Sequence, residues 1–158
     1  MGYWNFCSMR KYETVKTVNV KSTQVGPDRK LKPAELFSLM TDMALENIED
    51  LGFGREKTLD QGLLWVVVLS CVVIERLPVY GERIKISTRP GPCRHMMFYR
   101  YFDITDDKEN RIVSATSMWT LIDENTRKIV FPEGLGLNLP EGDPEPDKNF
   151  PRRLRGLF

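Results

Sequence analysis

Paired cysteines, clustered histidines and long uncharged apolar runs are all missing from this sequence of 158 residues. The three cysteines, Cys7, Cys71 and Cys93, are odd in number and far apart, which supports neither a disulfide framework nor a thiolate metal site. The single histidine, His95, has no second histidine or spaced cysteine beside it, so metal pairs and Cys–His dyads find no support. No metal and no organic cofactor is expected. Nothing reaches the roughly 18 apolar residues that suggest a spanning helix. The most apolar run, Gly62 to Ile74, is too short and too β-branched for one. Met1 to Tyr12 lacks the apolar centre of a secretory signal. These absences read as a soluble protein in a reducing, cytoplasmic setting with no membrane partner. An excess of one charge is missing too. The 23 basic and 22 acidic residues leave a net charge of +1, so no global field points to nucleic acid.

What is present is a hydrophobic fraction of 41%, enough for one core. Glu13 to Thr23 is rich in Val and Thr and reads as a strand. Gln24 to Arg29, with Gly26 and Pro27, reads as a turn. Pro33 to Leu51 predicts a helix. Proline suits its first turn, Phe37, Met40, Ala44, Ile48 and Leu51 share one face, and Gly52 suits a left-handed stop. From Gly62 the period shortens to two. Leu63 to Glu75 is apolar on both faces, as expected of a long central strand covered on both sides. Arg83 to Thr88 alternates, Arg89 to Pro92 reads as a break, and strands follow at Met96 to Ile104 and Ile112 to Ile122. Asp123 to Arg127 then predicts a hairpin turn into Lys128 to Phe131.

One strand, one long helix and a run of antiparallel strands make an α+β chain, with the sheet expected to wrap around the helix. The expected organisation is an N-terminal extension over 1–12, one domain over 13–132, and a linker or extended tail over 133–158. Arg152, Arg153 and Arg155 form a small basic cluster in that tail. It is either a solvated end or a docking point for an acidic partner.

Three segments resemble the acyl-acyl carrier protein thioesterases of plants and bacteria. STQVGPDRKLKPAELFSLMTDMALENIEDLGF is similar to that family's strand end, Gly-x-Asp-Arg turn and long helix. GLLWVVVLSCVVIERLPVYGERIKIST resembles its Trp-bearing strand and the turn after it. RYFDITDDKENRIVSATSMWTLIDENTRKIV resembles its closing hairpins. The likeness covers roughly Val18 to Pro132 and implies a hot-dog fold, an antiparallel sheet wrapped around one long central helix. It further implies binding of fatty acyl thioesters for hydrolysis to free fatty acid, in fatty acid biosynthesis. The implied partners are an acyl carrier protein or coenzyme A thioester, and either a second copy of the chain or a second hot-dog half. In that family the second half carries a catalytic Asp-x-Asn-x-His segment. No such segment occurs here, and the stretch after Phe131 is too short to form a second half. The alternative function is therefore a non-catalytic acyl-binding or dimerisation module.

Thioester hydrolysis needs an activated water and donors for the developing oxyanion. Asp28, just before the helix, is a candidate to orient a water, against the commoner role of turn former. Asn47 falls on the apolar side of the helix and must bond either a ligand carbonyl or nearby strand groups. Phe37, Met40, Trp65, Val67 and Trp119 are candidates to line an acyl tunnel, against the commoner role of core side chains. Arg100 interrupts an apolar strand face, which implies either a carboxylate partner or a flip at a bulge.

Overall fold

Where the period is two the backbone pairs into strands, and where it is 3.6 it coils. In the computed structural model, which describes residues 12–132 and Gly142, the order is β1 (Thr14–Asn19), α1 (Pro33–Asp50), β2 (Leu63–Ile74), β3 (Arg83–Arg94), β4 (Met97–Thr105) and β5 (Arg111–Asp123). Single 3₁₀ turns occur at Ser22–Gln24, Arg55–Lys57 and Leu59–Gln61. The strands form one five-stranded antiparallel sheet in the order β1-β3-β4-β5-β2. β2 thus leaves the helix for one edge, and β3 returns to the opposite side beside β1.

Pro33 starts α1 where an N–H would have no helical partner, and Gly52, at φ 81°, follows its end in the left-handed conformation. Leu36, Met40, Met43 and Ala44 face the sheet and join Ile84, Ile86, Phe102, Ile104, Val113 and Ala115 in one core. Burying each of the larger of these side chains stabilises the fold by about 1.5–3 kcal/mol. At its other flank the helix is tied to β1. Lys16 Nζ lies 2.6 Å from Glu46 Oε1, and Thr14 Oγ1 donates to Asp50 Oδ2 at 3.4 Å.

Those ties correct the expectation of a sheet wrapped around one long central helix. The architecture is α+β with an antiparallel sheet, but α1 lies over the β1 and β3 side and is not central. β2 is corrected with it. It is an edge strand, and Val66, Val67 and Ile74 are 36%, 43% and 43% exposed, with nothing among the described residues covering them fully. The break expected at Arg89 to Pro92 is instead part of β3. Its prolines are accommodated by a register shift between Pro90 and Cys93, where β3 bulges against β4. The stretch Lys128 to Phe131 contributes one bridge, Ile122 to Ile129, and no strand. Most of the extension and tail, including Arg152, Arg153 and Arg155, lies outside the described residues. Gly142 is buried against β3, where any side chain would meet the carbonyl oxygens of Pro90 and Gly91.

Candidate functional site

Strand register decides which candidates meet. Val67 pairs with Trp119, Trp119 with Phe98, and Trp65 with Leu121, so these side chains share one face of β2, β5 and β4. It is the helix-facing side, because Trp119 packs against the core that α1 closes. Trp65 and Phe98 meet edge to face, with centroids 5.2 Å apart and planes at 88°. Phe53, just past the helix, packs with Trp65 against Leu63 and Leu121. An aromatic floor therefore continues from the helix toward the exposed β2 edge.

Where that floor meets the core, the same face turns polar. Arg100 on β4 stands opposite Ser117 on β5, and Ser117 opposite Ser70 on β2. The Ser117 hydroxyl accepts a 2.6 Å bond from Trp119 Nε1. Arg100, only 5% exposed, donates from Nη1 to Asn47 Oδ1 at 2.7 Å and to Thr88 Oγ1 at 3.2 Å. Asn47, 1% exposed, donates from Nδ2 to the Tyr12 carbonyl at 2.8 Å and to Thr14 Oγ1 at 2.9 Å. The Thr88 hydroxyl in turn donates a hydrogen bond to the Tyr101 carbonyl at 3.1 Å. One network thus joins β1, α1, β3 and β4 inside an apolar core.

Arg100 has no carboxylate partner among the described residues, and burial alone pushes its guanidinium down to about 10. It still carries its charge at neutral pH. Neither alternative weighed for this residue holds, since it pairs regularly with Ser117 and its acceptors are neutral. Arg89 makes the contrast: similarly buried, it reaches Asp103 Oδ2 at 3.2 Å. Trp65 adds an indole N–H that is buried without any acceptor.

The remaining candidates are scattered. Met40 is core. Phe37 is 44% exposed and about 15 Å of helix rise from Asn47, so it stands away from the aromatic floor. Asp28 is exposed and its Oδ1 accepts the Lys30 backbone N–H at 3.1 Å, within a turn closed by Arg29 N–H to the Gly26 carbonyl at 2.9 Å. The structure thus brings together Trp65, Val67 and Trp119, links Asn47 to Arg100, and leaves Phe37 and Asp28 outside. Sequence reasoning missed Phe98, Thr88 and Ser117 as partners. The polar residues at matched positions of successive strands were the available signal, readable only once register is known. Among the described residues no His, Cys, Asp and Glu cluster could hold a metal, and no helix is long and apolar enough to cross a membrane.

Comparison with known proteins supplies the family context. The family model described as the acyl-ACP thioesterase N-terminal domain matches residues 11–132. A curated relative, the dodecanoyl-[acyl-carrier-protein] hydrolase of Umbellularia californica, is 27% identical over 121 residues, which is 72% of this chain and 32% of that protein. The chain spans about a third of the length of such relatives. An acyl-ACP thioesterase structure from Bacteroides thetaiotaomicron matches with a TM-score of 0.76 at 20% identity, over 89% of this chain and 58% of that one. A DHNA-CoA thioesterase from Staphylococcus aureus matches with a TM-score of 0.72 at 16% identity, over 77% of this chain and 82% of that one. Likeness at such identity carries the hot-dog fold alone. The curated relatives are chloroplastic proteins, which overturns the cytoplasmic setting expected above. A charge-balanced chain without paired cysteines suits any reducing compartment, so composition had no power to choose.

Proposed function

This chain belongs to the acyl-ACP thioesterase family through that family's N-terminal domain, and on that footing we propose that it binds the acyl chain of a fatty acyl thioester for hydrolysis to free fatty acid. The observation that carries the reading is the aromatic floor of Trp65, Phe98 and Trp119, on the helix-facing side of the sheet and open toward the β2 edge. An alkyl chain laid along it exchanges water for apolar contact at about 0.8 kcal/mol per buried methylene. In this reading Trp65, Val67 and Trp119 line the acyl path, and Met40 and Asn47 close its helix side. Asp28, bonded within its own turn, is given no catalytic part.

The water-activating groups come from elsewhere in this proposal, because the chain has no Asp-x-Asn-x-His segment. A second hot-dog unit supplies them, and the thioester is held by an acyl carrier protein or coenzyme A. The test is thioester cleavage followed by thiol trapping, paired with equilibrium binding of a dodecanoyl thioester. Binding with turnover far below about 1 s⁻¹ is expected for this chain alone. Failure to bind any acyl thioester overturns the proposal.

A further inference from the structure

We propose that Arg100 is a carboxylate site, so that the acyl ligand of this face carries an anionic group and is not a bare hydrocarbon. The inference rests on the acyl-binding reading for the path of the chain, but its central argument is charge. A buried cation without an opposite charge is among the most unfavourable arrangements in a protein interior, and native structures pair such groups or hydrate them. Arg100 is 5% exposed, and both of its bonds, to Asn47 and Thr88, leave from Nη1 and end on neutral oxygens. Among the described residues Nη2 and Nε carry none. Together they form one edge of the guanidinium fork, two parallel N–H groups at the spacing of a carboxylate's oxygens.

The surroundings say what kind of anion fits. Phe98, Phe102, Ala115 and Trp119 flank Arg100 and Ser117 on the same face, so whatever reaches the fork passes over apolar surface. An alkyl carboxylate meets both conditions, whereas a phosphate ester brings more charge and polar bulk than this face can solvate. Trp65, on the same face with a buried and unpartnered indole N–H, marks a second place where an acceptor is wanted. The network behind the fork holds it in place. Asn47 is bonded to Thr14 of β1 and to the Tyr12 carbonyl just before that strand, so the guanidinium is positioned before any ligand arrives.

The carboxylate has two possible sources, the head of a released fatty acid or the far end of an acyl chain carboxylated there. Calorimetric titration of the full chain with four probes separates them: dodecanoate, methyl dodecanoate, dodecanoyl-pantetheine and its ω-carboxylated counterpart. A carboxylate site makes at least one charged probe bind about tenfold or more tighter than its uncharged counterpart. A gain with dodecanoate identifies the product head, and a gain with the ω-carboxylated thioester identifies the chain end. In Arg100→Met that gain disappears while the uncharged probes bind as before, and Arg100→Lys, charged but without the fork, retains only part of it. Equal binding of charged and uncharged probes overturns the carboxylate site and leaves the acyl-binding reading intact. If no probe binds, both fall. Should Arg100→Met fail to fold, the wild-type comparison decides alone.

Discussion

Asn47 and Arg100 hold each other in a core that offers few other acceptors. Removing the amide in Asn47→Ala takes away the 2.7 Å acceptor of a buried charge and the Nδ2 donor to the Tyr12 carbonyl and the Thr14 hydroxyl. Hydrogen bonds to charged groups contribute about 1.5–3 kcal/mol, and a buried orphan costs a similar amount. Asn47→Ala is therefore expected to lower stability by about 2–4 kcal/mol. Urea unfolding should show this as a lower midpoint with an unchanged slope. A loss under about 0.5 kcal/mol, the range of ordinary surface substitutions, would mean that water replaces the amide without penalty. Asn47 itself was legible in the sequence, because its helical phase put a polar amide on the apolar stripe. Arg100 was legible only as an anomaly, since its partners Asn47 and Thr88 lie on two other elements, α1 and β3.

Two turns at opposite ends of the sheet carry predictions at the scale of elements. The β3–β4 hairpin closes on the pair Arg94 and Met97, with His95 at φ 50° and Met96 at φ 67°. Two consecutive left-handed residues make a type I′ turn, which favours Asn-Gly and costs other residues about 1–2 kcal/mol apiece. The double variant His95→Asn, Met96→Gly should accordingly raise the melting temperature, and calorimetry that shows no rise would mean tertiary contacts already offset the strain. At the far end, Arg76 joins the loop after β2 to the turn between β4 and β5, reaching Glu82 Oε1 at 2.6 Å and Asp106 Oδ2 at 3.2 Å. The bond from Arg76, aided by the Val79 N–H, holds the Glu82 carboxyl below its ordinary 4.5. Backbone and side-chain bonds from Asn110, then Lys108 and Arg76, hold Asp106 below its ordinary 3.8. Acids with lowered folded values stabilise the fold above their ordinary values and lose that contribution as pH falls through the lowered ones. Thermal melts from neutral pH downward should therefore fall more steeply below about pH 4.5 in the wild type than in Arg76→Met. Parallel curves would assign the acid sensitivity to other carboxylates.

At the scale of the whole molecule, β2 stands at the sheet edge with apolar side chains exposed among the described residues. An edge strand with Val66, Val67 and Ile74 exposed is a template for another chain, and lacks the charges or prolines that usually protect such edges. Joining two copies along it gives each a neighbour for its unpaired backbone groups, and a stable interface needs about 800 Å² per partner. Sedimentation at micromolar concentration should show a mass above the 18.3 kDa of one chain, rising with concentration. Val67→Lys should shift that equilibrium toward the monomer. A monomer at all concentrations would instead assign the cover of this edge to residues outside 12–132.

Local periodicity and turn chemistry were enough to mark where the strands and the helix lie, because the period of two or 3.6 and the Gly and Pro punctuation act within a few residues. The resemblance to the family, read beside the sequence, further implied that its Asp-x-Asn-x-His segment does not occur in these residues. Position within the sheet was beyond the reach of local periodicity. Leu63–Ile74, apolar on both faces, has the pattern of a central strand, and only strand order shows it to be an edge. Likewise the prolines at positions 90 and 92 signal a break by themselves, yet a bulge carries β3 through them. The meeting of Asn47 with Arg100, and of Trp65 with Phe98, depends on register between segments far apart in the chain. Short-range preferences set conformation along the chain, whereas register and burial depend on which distant side chains close the same core.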